Sequence, residues 1–146
     1  MIMDGGPSLT KKKIVVDKKG RKTRKVGPAI ERAAGTYKQI ICLRNDVGMG
    51  GAKMVAAACD GTLGAFKTLW KARDGALILW EKAGNTKDLV YVQGEETFDK
   101  IVARAKSLGI CAYVVTSGEE RTKVCLALGP ALVEDLNRLI PSSAPG

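Results

Sequence analysis

From residue 37 to residue 139, short β-branched runs alternate with longer segments of helical period. A chain with these two periods interleaved has few ways to bury both kinds of apolar face, and the usual solution is helices packed on a sheet. YKQIICLR at 37–44 reads as a strand, and NDVGMGGA at 45–52 as a glycine-rich turn. Residues 53–70 place Ala, Met, Leu and Phe at helical spacing, with small residues at Ala56, Ala57, Ala58, Gly61 and Gly64. Glycine lowers helix propensity, so both positions imply close packing against a sheet. A shorter helix over 74–82 closes at Gly84, and DLVYVQ at 88–93 is a strand. Phe98, Ile101, Val102, Ala105 and Leu108 form one side of a helix over 95–108 that closes at Gly109. ICAYVVT at 110–116 and residues 121–128 read as a hairpin, and 131–139 as a last helix stopped by Pro141. The order β-α-α-β-α-β-β-α predicts a single three-layer α/β domain: a mixed four-stranded sheet with helices on both faces.

Charge divides the chain. Residues 1–35 carry ten Lys/Arg against three Asp/Glu, whereas residues 36–146 carry fourteen against twelve. The first stretch, with KKKIVVDKKGRKTRK at its centre, has no helical period and too little apolar surface to offset chain entropy. The expected organisation is a basic extended arm over 1–35, a folded domain over 36–140 and a tail over 141–146. Lys11, Lys12, Lys13, Lys18, Lys19, Arg21, Lys22, Arg24 and Lys25 are the candidate nucleic-acid contacts, because flexible cations neutralise phosphates and release counterions. An anionic membrane is the second partner and a solvated tail the third reading. The arm has neither lipid anchor nor aromatic wedge, so no membrane partner is expected. No apolar run reaches bilayer length, and no apolar segment of a secretory signal follows the first charges.

The chain has no histidine, which excludes His-based catalysis and His-containing zinc sites. Cys42, Cys59, Cys111 and Cys125 are spaced by 17, 52 and 14 residues, which fits no metal or redox motif. They read as buried free thiols in a reducing intracellular compartment. No metal and no cofactor is expected. Gly48-Met49-Gly50-Gly51 ahead of Lys53 could cradle a phosphate or be a plain turn. It is not a P-loop, since Met54 follows Lys53. Trp70 and Trp80 read as packing residues, and Glu95-Glu96 as acids favoured by a helix dipole.

Three phrases in this order resemble peptidyl-tRNA hydrolase of type 2: MGGAK with LGAF (49–66), LWEKAGNTKDLVYVQGEETFDKIVARAKSLGI (79–110) and LALGP (126–130). The resemblance covers about 37–139. It implies the α/β domain above and a metal-free activity that cleaves the ester between a peptide and tRNA. It also locates a site. The family's first helix opens Gly-Lys-Gly-Lys and then carries Gln and His on one face. Here the second Lys is Lys53, the Gln position is Ala57 and the His position is Asp60. The family's Asp-Ala-Gly-Arg-Thr turn corresponds to Thr116-Ser117-Gly118-Glu119-Glu120, and the loop after it is shorter.

Lys53, Asp60 and Thr116 are therefore the candidate catalytic positions, read as vestigial. Ala57 cannot hydrogen-bond through its side chain, and Glu119 puts negative charge where the family has Arg. These losses favour a non-catalytic structural subunit of a ribonucleoprotein, such as a mitochondrial ribosome, with RNA (ribosomal RNA or tRNA) and neighbouring protein subunits as partners. The alternative is an active or weakly active peptidyl-tRNA hydrolase. A third reading is a scaffold whose arm binds an acidic protein. The expected location is the mitochondrion or the cytoplasm, with the mitochondrion preferred by analogy.

Overall fold

The structure is a computed structural model. It describes residues 29–140, and of the preceding chain only the backbone of two short strands, β1 (Ile14–Val16) and β2 (Lys22–Arg24). These pair antiparallel, Val15 opposite Thr23. The sequence reading expected no secondary structure in the arm. The three consecutive β-branched residues of β1 supply the strand signal that the surrounding charge obscured.

The domain consists of β3 (Tyr37–Arg44), α1 (Gly51–Lys71), α2 (Ala76–Lys82), β4 (Lys87–Val92), α3 (Glu95–Ser107), β5 (Ala112–Ser117), β6 (Thr122–Leu132) and α4 (Val133–Leu139). Its four strands lie in the order β4-β3-β6-β5. β3 and β4 are parallel, joined through α1 and α2, and the other two pairings are antiparallel. This is the expected mixed four-stranded α/β sandwich.

Strand alternation separates two cores. On one face Ile40 and Cys42 of β3 and Leu126 and Leu128 of β6 pack with Phe98, Ile101 and Ala105 of α3 and Leu136 and Leu139 of α4. On the other face Ile41 and Leu43 meet Ala57 of α1, and Tyr37 meets Leu69, Leu77 and Trp80. The α1 glycines have the packing role that the sequence implied. A Cβ on Gly61 would lie 3.0 Å from Cys125 Sγ and 3.4 Å from Ala127 Cβ, and one on Gly64 would run into the Tyr113 ring. α1 therefore lies directly on β5 and β6. Trp80 is buried and donates its indole N–H to the Thr86 carbonyl at 2.9 Å, while Trp70 stacks on Phe66.

One expectation about the domain's elements needs correction. The last helix does not begin at 131. β6 continues through the cis Gly129–Pro130 bond to Leu132, because Ala131 and Leu132 pair again with Lys38 and Tyr37 after a bulge. The chain just ahead of the domain is also held. Residues 30–33 form a strap: Ile30 bridges Asp74, and the Arg32 guanidinium holds the Asp74 carboxylate by two bonds of 2.9 and 2.6 Å.

Candidate functional site

β3 and β5 end at the same edge of the sheet, where α1 begins. α1 starts without a side-chain cap: Gly50 is its N-cap residue, and Met54 N–H is bonded back to the Gly50 carbonyl at 3.0 Å. The preceding amides of the first turn have no intrahelical acceptor. No atom lies within 4 Å of where a Cβ would sit on Gly48, Gly50 or Gly51, so this turn opens onto free space. Open amides, the positive end of a helix dipole and the exposed Lys53 together make a place for an anion. Lys53 makes no ion pair with any described residue.

Asp60 is exposed two turns further along the same side of α1. Its charge acts on the Cys125 thiol, which burial first and Asp60 second push up to about 12. Gly61 faces Val115 as well as Cys125 and Ala127, so this part of α1 sits over the second half of β5 and the middle of β6. Ala57 is buried, 6% exposed, against Ile41, Leu43 and Val124. The third candidate, Thr116, is placed differently. A bulge shifts the β5–β6 register so that Thr116 pairs with Lys123, whose ammonium reaches Asp99 of α3 at 2.6 Å. Directly opposed residues share a face. Thr116 therefore lies on the α3 side, and Ser117 with Thr122 holds the α1 side. Glu119 and Glu120 are exposed in the turn.

A charge network that sequence reading missed braces this edge. Arg44, 8% exposed, is held by Asp46 through bonds of 2.7 and 3.0 Å, donates to the Lys123 carbonyl at 3.1 Å and lies 3.8 Å from Glu95. Asp46 also accepts the Gly94 N–H, and Glu95 accepts the Lys123 N–H. The bond from Arg44 holds the Asp46 carboxyl down at about 2. The network ties the end of β3 to the start of α3 and to β6. It takes up Asp46, which could otherwise have paired with Lys53. An arginine at a strand end two residues before an aspartate was the available sequence signal.

Among the described residues no group of His, Cys, Asp and Glu could hold a metal ion. The four cysteines are free thiols, but only Cys42 and Cys125 are buried; Cys111 is partly covered and Cys59 is exposed on α1. A cavity of about 220 Å³ lies under the strap, lined in part by Arg32, Tyr37, Asp74 and Cys111, away from the start of α1. Of the arm candidates, Lys11, Lys12, Lys13, Lys18, Lys19, Arg21 and Lys25 lie outside the described residues. Lys22 and Arg24 fall in β2, where the backbone alone is described. No described helix is long and apolar enough to cross a membrane.

Comparison with known proteins agrees with this architecture. The family model for peptidyl-tRNA hydrolase PTH2 matches residues 37–142, which includes every element of the sheet and its helices. A probable peptidyl-tRNA hydrolase 2 of Schizosaccharomyces pombe is 31% identical over 120 residues, 78% of this chain and 58% of that protein. The mitochondrial peptidyl-tRNA hydrolase 2 of Homo sapiens is 29% identical over 112 residues, 73% of this chain and 62% of that protein. The peptidyl-tRNA hydrolase of Methanothermobacter thermautotrophicus is 31% identical over 107 residues, 70% of this chain and 93% of that protein. The chain thus spans about three fifths of the fungal and human relatives and nearly all of the archaeal one. By fold, element order and sequence, the chain belongs to the peptidyl-tRNA hydrolase PTH2 family.

Proposed function

We propose that this protein acts on peptidyl-tRNA and hydrolyses the ester between the peptide and the terminal ribose. The observation that carries this reading is the open start of α1, with an exposed Lys53 that makes no ion pair with any described residue, at the end of the sheet where β3 and β5 finish. In this reaction water adds to the ester carbonyl carbon and the acyl–oxygen bond breaks. The ribose oxygen leaves with a proton. Anion-binding groups are needed for the nucleotide phosphate and for the oxyanion that develops. Lys53 and Asp60 are seven residues apart, about 10 Å along the helix, so they do not serve the same oxygen. Lys53 and the helix start hold the terminal phosphate. Asp60, next to the Gly61 contact with β5 and β6, orients the attacking water. Thr116, on the α3 side, is given no step.

A second reading rests on Ala57. The position where the family resemblance implies a hydrogen-bonding Gln is an apolar contact in the core, and Glu119 and Glu120 stand at the turn beyond β5. The chain would then be a non-catalytic subunit of a ribonucleoprotein, such as a mitochondrial ribosome. It would be held there by its basic arm, residues 11–25, and by neighbouring subunits. Mitochondrial translation is the proposed setting, after the names of the mammalian relatives, and fractionation with cytosolic ribosomes alone would exclude it.

Turnover of N-acetyl-aminoacyl-tRNA by the purified chain, compared with Lys53→Ala, separates the two readings. The hydrolase reading expects release by the parent and a loss of about tenfold to a hundredfold in the variant, since a charged contact to the phosphate is worth roughly 1.5–3 kcal/mol. Equal release by both proteins would remove Lys53 from the site. No release by either would leave the non-catalytic reading standing.

A further inference from the structure

The strap covers a cavity. Ile30 N–H donates to the Arg73 carbonyl at 2.9 Å, and Gly75 N–H donates to the Ile30 carbonyl at 2.7 Å. Tyr37 hydroxyl donates to the Ala33 carbonyl at 2.6 Å. Pinned at these points, residues 31–33 form one wall of the cavity of about 220 Å³. Leu69 at the end of α1, Ile110 after α3 and Pro130 and Leu132 of β6 supply apolar walls. Leu69 is sixteen residues from Lys53, about 24 Å along α1, so this is not the site described above. The volume holds about seven waters at roughly 30 Å³ each and falls below the roughly 300–1,000 Å³ of drug-sized ligand sites, so the cavity suits a small molecule only.

Charge decides what kind of molecule. Among the described residues that line the cavity, Glu31, Arg32, Asp74 and Asp135 are ionised. Arg32 and Asp74 neutralise each other, the guanidinium committing Nε and Nη2 to the carboxylate. Glu31 and Asp135 remain. Arg138 comes within 3.9 Å of Asp135, but its side chain is 66% exposed, and such a pair neutralises little. Glu134, in the same first turn of α4, is a further acid close by. Lys71 and Arg73 flank Asp74 in sequence without lining the cavity, and Lys38 is held by Asp88 at 2.7 Å. The Tyr37 hydroxyl feels this balance. Burial raises its pKa, Arg32 lowers it, and Asp74, Asp135 and Glu134 raise it again. Leu108 and Gly109, where α3 ends, bring the negative end of a helix dipole to the same wall. A negative field over apolar walls favours a cation with a hydrocarbon body and disfavours an anion.

We propose that the cavity under the strap binds a small organic cation, an ammonium group on a short aliphatic chain. The chain lies against Leu69, Ile110 and Leu132, and the ammonium sits between Glu31 of the strap and Asp135 of α4. A ligand held by both carboxylates ties the strap to α4 and makes the strap harder to open. The site is independent of the function proposed above.

n-Pentylamine, 1-pentanol and pentanoate carry the same chain with a positive, a neutral and a negative head. Each is titrated into the full chain at pH 7 and followed by amide NMR shifts. Pentylamine should shift Gly109, Ile110 and Leu132 saturably, with a Kd on the order of a millimolar from burial of its chain. At saturation it should slow hydrogen exchange of the Ile30 and Gly75 amides. Glu31→Gln and Asp135→Asn should each weaken it about threefold, and pentanol, lacking both contacts, should bind about tenfold more weakly. Pentanoate should give no saturable shift. Glu31 is exposed, so Glu31→Gln keeps the fold whatever Asp135→Asn does to the start of α4. Glu120→Gln, in the turn between β5 and β6, should bind pentylamine as the parent does. Pentanoate binding as tightly as pentylamine, shifts that do not saturate, unchanged exchange at saturation, or a Kd unchanged by Glu31→Gln would each overturn the proposal.

Discussion

Replacing Asp74 with alanine should loosen the junction between arm and domain. The carboxylate accepts two bonds from Arg32 and one from Ala76 N–H at 2.9 Å, where α2 begins. Loss of the acceptor at the helix start costs about 1 kcal/mol. The Arg32 pair would be worth more if it were fully enclosed, but the Arg32 side chain is 34% exposed and can return to water, so its share is about 1–2 kcal/mol. The expected cost is about 2–3 kcal/mol, a fall in Tm of roughly 8–15 °C for a domain this size. Burial pushes the Asp74 pKa up, yet Arg32 and the Ala76 amide outweigh it and the net shift is downward. The contribution is thus present above the ordinary carboxylate value near 3.9 and is lost as pH falls through the lowered folded value. Thermal melts at pH 7, with hydrogen exchange at the Ile30 and Gly75 amides, check this. A fall in Tm below about 3 °C with unchanged exchange at both amides would refute the strap as an integral part of the fold.

Other outcomes follow from the same contacts. Native protein at pH 8 should show one fast thiol, Cys59, because burial raises Cys42 and Cys125 to about 12 and Cys111 to about 11; Ellman titration giving two or more fast thiols would contradict this. Gly61→Ala should destabilise by about 1–2 kcal/mol in urea melts despite alanine's better helix propensity, because its Cβ meets Cys125 Sγ at 3.0 Å between two packed elements; a more stable variant would show that α1 has room to move. Asp46, lowered to about 2 chiefly by Arg44, contributes stability above the ordinary carboxylate value near 3.9 that is lost as pH falls toward 2; Asp46→Asn should flatten the urea midpoint over pH 5 to 2.5, and an unchanged profile would remove the network from the acid response.

The elements were legible in the sequence because each carries its own local signal. Phe98, Ile101 and Ala105 recur at helical spacing, and YKQIICLR is dense in β-branched and apolar residues. Gly61 and Gly64 announced a close contact, although only the fold shows that the contact is with β5 and β6. What stayed hidden depends on distant partners. Arg32 and Asp74 are 42 residues apart, and Arg44 reaches a carbonyl 79 residues away. Nothing local marks such pairs. The extension of β6 past Gly129–Pro130 was missed because the Gly-Pro step reads locally as a stop, while pairing with Tyr37 and Lys38 carries the strand on. At the site, Lys53 and Asp60 could be placed on one side of α1 from spacing alone. The face of Thr116 follows from alternation along β5, with Ala112 and Val114; what spacing could not give is that a bulge at Val124 of β6 sets Lys123 opposite it.

The most direct test of the hydrolase reading is a single-turnover reaction of the full chain, in excess, with peptidyl-tRNA in H₂¹⁸O. Acyl–oxygen cleavage by this protein predicts free peptide with ¹⁸O in its new carboxylate, unlabelled tRNA, and a rate well above the uncatalysed one that falls in Lys53→Ala. A rate no greater than that of the substrate alone in the same buffer would contradict the account and leave the domain as a non-catalytic RNA-binding module.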